Sequence, residues 1–214
     1  MPDKTPLQTP DKNCPLCPRL ETFRSDNSKD HPTWFNGAVP AFGPLDASLL
    51  IVGLAPGLRG ANRTGRPFTG DYAGDLLYPT LLKFKLAQGH YEGESSDSLT
   101  LINCRITNAV RCVPPQNKPV GQEIKQCLPF LTSEIATMPK LKVIISLGRI
   151  AHEAVIRATE GKLKDYKFAH GAEHTLTTGG KLINSYHCSR YNTNTGRLTE
   201  AMFEDVFHTT LKHL

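Results

Sequence analysis

Four short apolar runs punctuate the chain, and each leads into residues that recur at helical spacing. The first, Leu49-Leu50-Ile51-Val52, closes a strand from Ser48 to Val52. The segment Leu99 to Val110 contains a second strand, Leu141 to Leu147 is a third closed by Gly148, and Lys181 to Tyr186 is a fourth ending at His187. Between them, Leu76, Leu77, Thr80, Leu81 and Phe84 predict a helix running to about Gln88. Pro79 requires that helix either to begin near Tyr78 or to start at Asp71 with a kink. Ile124, Cys127, Leu128, Leu131 and Ile135 mark a second helix, and Ile150, Ala154, Val155 and Ala158 a third. The last has Thr199 as N-cap, a Leu198–Phe203 staple around it, and Phe203, Phe207 and Leu211 every fourth residue. Residues 1–12 read as a loose polar arm. Pro18 to Pro44 shows no long periodic pattern, and Lys162 to Gly180 offers only a short hairpin or loop.

Strand then helix, four times over, predicts an α/β fold: three layers, α/β/α, with a central four-stranded parallel sheet flanked by helices. The 214 residues are enough for one domain, 1–214, with a full core. There is no run of 18 apolar residues, and Met1 to Pro6 is polar. A cytoplasmic protein without a membrane partner is expected. In a reducing compartment, six cysteines point to metal or redox chemistry rather than disulfides. The net charge of +5 says little alone. Its placement says more: Arg59, Arg63 and Arg66 share one acid-free loop, and Arg190 and Arg197 another. Arginines on loops suit phosphate contacts, against the commoner reading of a solvated cationic surface.

In parallel sheets, ligands sit beyond the carboxyl ends of the strands. There the sequence sets its unusual residues: the loop from Gly53-Leu54-Ala55-Pro56-Gly57 to Asp71, then Asn108, then His187. Glycines let backbone N–H groups approach a flat or anionic ligand, whereas the bland reading makes Asp71 the cap of the next helix. A phosphate-binding loop is a poorer match, since no Lys-Ser/Thr pair closes the glycine stretch. Among the cysteines, Cys14 and Cys17 form a C-x-x-C pair, while fourteen residues separate Cys112 from Cys127. That gap is poor for zinc, and four thiolates drawn from separate loops suit an iron–sulfur cluster as well as zinc. Cys104 and Cys188 have no paired spacing.

Taken together, Cys14-x-x-Cys17, Gly53-Leu54-Ala55-Pro56-Gly57, Gly65-Arg66-Pro67-Phe68-Thr69-Gly70, Thr107-Asn108-Ala109-Val110-Arg111-Cys112, Cys127 and His187 resemble the iron–sulfur branch of the uracil-DNA glycosylase superfamily. The resemblance covers nearly the whole chain. Leu54 stands where family 4 has an acid, and Asn62-Arg63-Thr64-Gly65-Arg66 and Thr69-Gly70-Asp71 resemble family 5. Cys188 replaces the proline usual after the histidine, which bears on the stiffness of that loop.

The resemblance implies a structural 4Fe–4S cluster on Cys14, Cys17, Cys112 and Cys127, and double-stranded DNA containing uracil or other deaminated bases, such as hypoxanthine, as partner. A monomer is expected. Asn108 offers donors and an acceptor to O4 and N3–H of uracil, and Phe68 a stacking face. His187 is placed to stabilise O2, with backbone N–H groups around Leu54 and Ala55 aimed at the leaving anion. Asp71 is the carboxylate best placed to orient water, and Asp75, one turn on, is its rival. Arg190 and Tyr191 would enter the duplex while Arg59 and Arg63 hold phosphates. The reading from a different class is a non-catalytic iron–sulfur or zinc protein that binds nucleic acid or senses redox state. Such a module has no need of Asn108, His187 and Phe68 together.

Overall fold

The computed structural model describes residues 6–214. The loose arm expected over 1–12 falls partly outside that range. Within it, the segment is tied down: Gln8 N donates to Ser133 Oγ at 2.8 Å, and Lys12 O accepts from Ala38 N at 2.8 Å. Helix α1 (Pro18–Asp30) follows, where no periodic element was expected. Its buried residues are Leu20, Arg24 and Asn27. Their spacing is helical, but two of the three are polar, so an apolar pattern cannot reveal the face.

Strand β1 (Leu49–Gly53) leads through α2 (Ala61–Thr64) to α3 (Tyr72–Lys83). Asp71 caps α3, which runs through the exposed Pro79 and stops short of the predicted end. Gln88 belongs instead to β2 (Ala87–Gln88), paired antiparallel with β3 (Thr100–Leu101). The remainder is β4 (Cys104–Asn108), α4 (Gly121–Thr137), β5 (Val143–Leu147), α5 (Arg149–Ala158), β6 (Glu173–Thr175), β7 (Lys181–Ser185), α6 (Arg190–Asn194) and α7 (Glu200–Leu211). The staple and cap of α7 are present: Leu198 and Phe203 are buried, and Thr199 Oγ1 accepts from Met202 N at 3.2 Å.

The main sheet has the order β4-β1-β5-β7-β6. Its first four strands are parallel, as predicted, and β6 adds an antiparallel edge. The polar Glu173-His174-Thr175 hid that edge strand from the apolar pattern and suits a sheet margin facing water. Alternate strand residues feed two cores. Leu49, Ile51, Ile106, Ile145 and Ile183 pack against Leu77, Leu81, Phe203 and Phe207 of α3 and α7. Leu50, Val52, Ile144 and Leu182 pack against Leu131, Ile135, Ala151 and Val155 of α4 and α5. Burial on both faces explains why the strands read as unbroken apolar runs.

A buried ion cluster pins α4 to the end of β4. Glu134 accepts from Arg105 Nε at 2.6 Å and pairs with Arg111 through its second oxygen. Removing one member of such a buried group typically costs about 3–5 kcal/mol, because the partner charge is stranded. Among the described residues, no helix is long and apolar enough to cross a membrane.

Candidate active site

Strand register fixes the first side chain. In the β1–β4 pairing Gly53 stands opposite Asn108, and pairing continues beyond both strands, with Ala109 N donating to Gly53 O at 2.9 Å and Val110 N to Leu54 O at 3.0 Å. Asn108 is 3% exposed, and its Oδ1 has no hydrogen-bond partner. An open buried acceptor is destabilising unless a ligand completes it. A Cβ on Gly53 would lie 2.4 Å from Asn108 Oδ1 and 2.4 Å from Phe68 Cζ. Only glycine lets both groups lie against the end of β1.

Phe68 has φ +53°, a left-handed conformation that is unfavourable for an aromatic residue. Its neighbours hold it there. The Tyr78 hydroxyl donates to Pro67 O at 2.6 Å, and buried Arg66 grips both oxygens of Asp97 at 2.7 Å. Asp97 in turn accepts from Glu92 N and Leu99 N. Arg66 is therefore a brace for the loop and not the phosphate contact implied by its acid-free run. Arg63 likewise pairs with Glu94 at 2.6 Å. The acids were absent locally because the fold brings them from about thirty residues away.

Asp71 serves as a cap and also faces the cavity. Its Oδ1 accepts from Ala73 N at 3.1 Å, while Oδ2 lies in a hollow where a Cβ on Gly57 or Gly60 would come within 2.6 Å or 2.2 Å. Burial pushes the carboxyl pKa above its ordinary value, opposed by the N–H groups of Gly74 and Ala73. Asp75 is exposed and is not part of the cavity wall.

His187 lies two residues past β7, its carbonyl held by Asn192 Nδ2 at 2.8 Å. Its ring sits 6.1 Å from that of Phe68. Burial drives the imidazole pKa down to about 4, so the ring is neutral at physiological pH. Cys188 is fully buried within the core that includes Phe203 and Phe207. Packing anchors the position after the histidine where a proline ring would otherwise stiffen it.

A cavity of about 780 Å³ gathers Leu54, Ala55, Phe68, Asp71, Asn108 and His187. Arg190 and Tyr191 lie on its wall as well, Tyr191 71% exposed. Arg59 and Arg63 stay outside the lining. Sequence reasoning missed Tyr72, Arg149, Phe168 and Tyr186, which also line it. Arg149, directly after Gly148 at the carboxyl end of β5, could have been found by the strand-end rule. Phe168 comes from an irregular segment and carried no signal.

The other predicted group forms its own cluster. Cys14, Cys17, Cys112 and Cys127 gather around Leu20 and Ile124, while Cys104 and Cys188 lie in the main core. Arg24 Nη1 donates to Cys112 Sγ at 3.1 Å. Burial raises the Cys17 thiol pKa to about 11 and that of Cys112 to about 12, and the neighbouring sulfurs add to the rise. Among the described residues, no three His, Cys, Asp or Glu side chains close on a single-ion position. Zinc needs its thiolates about 2.3 Å from one point, whereas an iron–sulfur cube spreads four ligands over four corners. The four thiols come from separate segments and share one cluster, a donor set whose chemistry suits an iron–sulfur group.

The family model described as the uracil DNA glycosylase superfamily matches residues 40–210. The chain belongs to that superfamily. The type-5 uracil-DNA glycosylase of Thermus thermophilus is 43% identical over 199 residues, covering 90% of each chain. In Pyrobaculum aerophilum the type-5 relative is 35% identical over 198 residues, 91% of this chain and 86% of its own. The type-4 relative from the same organism is 34% identical over only 146 residues, 68% of this chain and 60% of its own. Type-5 similarity thus spans more of the fold, in keeping with Leu54 in place of the family 4 acid.

The raised Asp71 pKa sets a sign for stability. The folded state holds this proton more tightly than the unfolded chain does. The stabilisation is therefore present below the unfolded carboxylate pKa of about 3.9 and is lost as pH rises through the folded value. Asp71→Asn keeps a good cap and removes the buried charge. It is expected to melt at or above the wild-type temperature at pH 7 and to lose any advantage near pH 3. A lower melting temperature at pH 7 would contradict this.

Proposed function

We propose that the protein is a uracil-DNA glycosylase that extracts uracil, and other deaminated bases such as hypoxanthine, from double-stranded DNA and hydrolyses the N-glycosidic bond to leave an abasic site. The observation that carries this reading is the open Oδ1 of Asn108, buried in a cavity beside Phe68 and His187. Asn108 Oδ1 accepts from uracil N3–H and Nδ2 donates to O4, while the Phe68 ring supports the base. Neutral His187 donates to O2 as negative charge builds on the departing base, aided by backbone N–H groups around Leu54 and Ala55. Asp71 orients the attacking water and offsets positive charge on the sugar.

At the rim, Arg190 and Tyr191 fill the space left in the duplex. Arg59 meets a phosphate directly, and Arg63 meets one by exchanging Glu94 for it. Cys14, Cys17, Cys112 and Cys127 would hold the 4Fe–4S cluster, which supplies structural cross-linking of separate loops. A monomer is the proposed acting form. The cytoplasm, where these thiols stay reduced, is the setting. A non-catalytic nucleic-acid module has no use for an open amide set under a stacking ring.

Single-turnover cleavage of a labelled uracil duplex tests the assignment. Asp71→Asn is expected to bind the duplex normally and to cleave at least about a hundredfold more slowly, with Asp75→Asn at wild-type rate. Full cleavage by Asp71→Asn would return the residue to a purely capping role, and a loss in Asp75→Asn alone would move the catalytic carboxylate one turn along α3. Metal analysis tests the cluster. Anaerobically purified protein should contain iron, which Cys112→Ala should lose together with stability and Cys104→Ala should keep. Zinc without iron in the wild type would contradict the cluster.

A further inference from the structure

The arginines of this protein fall into distinct groups. Arg19, Arg63, Arg66, Arg105, Arg111 and Arg157 each pair with a carboxylate. Three others share a different arrangement. Arg149 sits 5.7 Å over the Phe168 ring, Arg197 sits 4.5 Å over Tyr186, and Arg190 sits 5.3 Å over Tyr72. All three are exposed on the wall of the same cavity, and all six of these residues line it. None of the three arginines has an ion-pair partner among the described residues. Within the cavity lining the sole acid is Asp71.

Two of these seats have a second tier. The Phe168 ring meets His152 at 5.5 Å, edge to face, and His152 is itself buried, with contacts to Asn184 Oδ1 at 2.9 Å and Tyr166 O at 3.0 Å. Tyr186 stacks on His170 at 5.1 Å, and His170 in turn accepts from Tyr186 N at 3.1 Å and contacts Met202 O at 3.2 Å. Phe168 and Tyr186 are 6.2 Å apart, so the two columns of arginine, aromatic ring and histidine stand side by side. A guanidinium seated over a ring keeps N–H donors free to meet an anion. It has already lost much of its rotamer freedom, and no carboxylate neutralises it. Uracil carries no charge that would call for such groups, whereas every nucleotide of DNA brings a phosphodiester anion.

We infer that Arg149 and Arg197 are phosphate-clamping residues flanking the extruded nucleotide, and that Phe168 and Tyr186 are positioning residues that hold the two guanidiniums in place. This rests on the glycosylase reading only in taking DNA as the ligand. The rings do not stack on bases, because Tyr186 is covered on one face by Arg197 and stacked by His170, and Phe168 carries Arg149.

The test is binding of the metal-loaded protein to two duplexes across a salt series, one with a non-hydrolysable uracil nucleotide and one undamaged. Arg149→Ala and Arg197→Ala should each flatten the slope of log affinity against log salt by about one, and should weaken both duplexes by the same factor. Phe168→Leu and Tyr186→Leu keep the charge, so the slope should hold while affinity drops about two- to fivefold. Tyr186→Phe should restore it, and Arg157→Ala, already paired with Glu153, should change nothing. Unchanged slopes in both alanine variants would overturn the clamp. Wild-type affinity in both leucine variants would overturn the positioning role. Should those variants not fold, Arg149→Lys and Arg197→Lys read the same point, with slope kept and affinity lowered. A wild-type protein that releases no uracil would defeat the glycosylase reading while leaving the salt slopes to decide the clamp.

Discussion

The cavity depends on backbone that carries no side chain where side chains must come close. At Gly53 the bare Cα lets the Phe68 ring and the Asn108 amide lie against the end of β1, and at Gly57 and Gly60 it makes room for Asp71 Oδ2. At each of these positions an added methyl would have to displace the side chain it meets. The remainder of the loop answers to this constraint. Phe68 accepts a left-handed conformation, and the Arg66–Asp97 pair, with Tyr78 on the Pro67 carbonyl, holds it there. Strained residues of this kind persist only where surrounding structure over-determines them.

Burial then sets the chemistry of the two titratable groups. It lowers the His187 pKa and raises that of Asp71, in both cases disfavouring the charged form. The consequences differ. His187, at about 4, is neutral at physiological pH, so a hydrogen bond it donated to a base would need no proton from solution. Burial opposes the charged form of Asp71, and its role as N-cap partly offsets that penalty through backbone N–H groups. In the proposed role, a cation forming on the sugar would relieve the remainder, so the carboxylate charge would be favoured most as the bond breaks.

Much of the architecture was legible in the sequence because the four parallel strands are buried on both faces and leave continuous apolar runs. Helix α1 escaped because its inward face is Leu20, Arg24 and Asn27. Strand β6 escaped because an edge of Glu173, His174 and Thr175 has no apolar side to show. Asn108, His187 and Asp71 could be singled out by position, at or beyond the carboxyl ends of the strands, and the superfamily motifs suggested their roles. The loop arginines could not be read fully in isolation, since Glu94 and Asp97 reach Arg63 and Arg66 only through the fold. For the same reason Phe168 and Tyr186 had no local signature: their partners, Arg149 and Arg197, are joined to them by the cavity and not by spacing.

The most direct measurement is uracil release by Gly53→Ala. The added methyl must push aside the Phe68 ring or the Asn108 amide, and a displacement of about an ångström at a reacting site can cost about a hundredfold. The account predicts a variant that folds cooperatively, keeps its iron, and cleaves a uracil duplex at least about a hundredfold more slowly in single turnover. A folded Gly53→Ala that cleaves at the wild-type rate would contradict it.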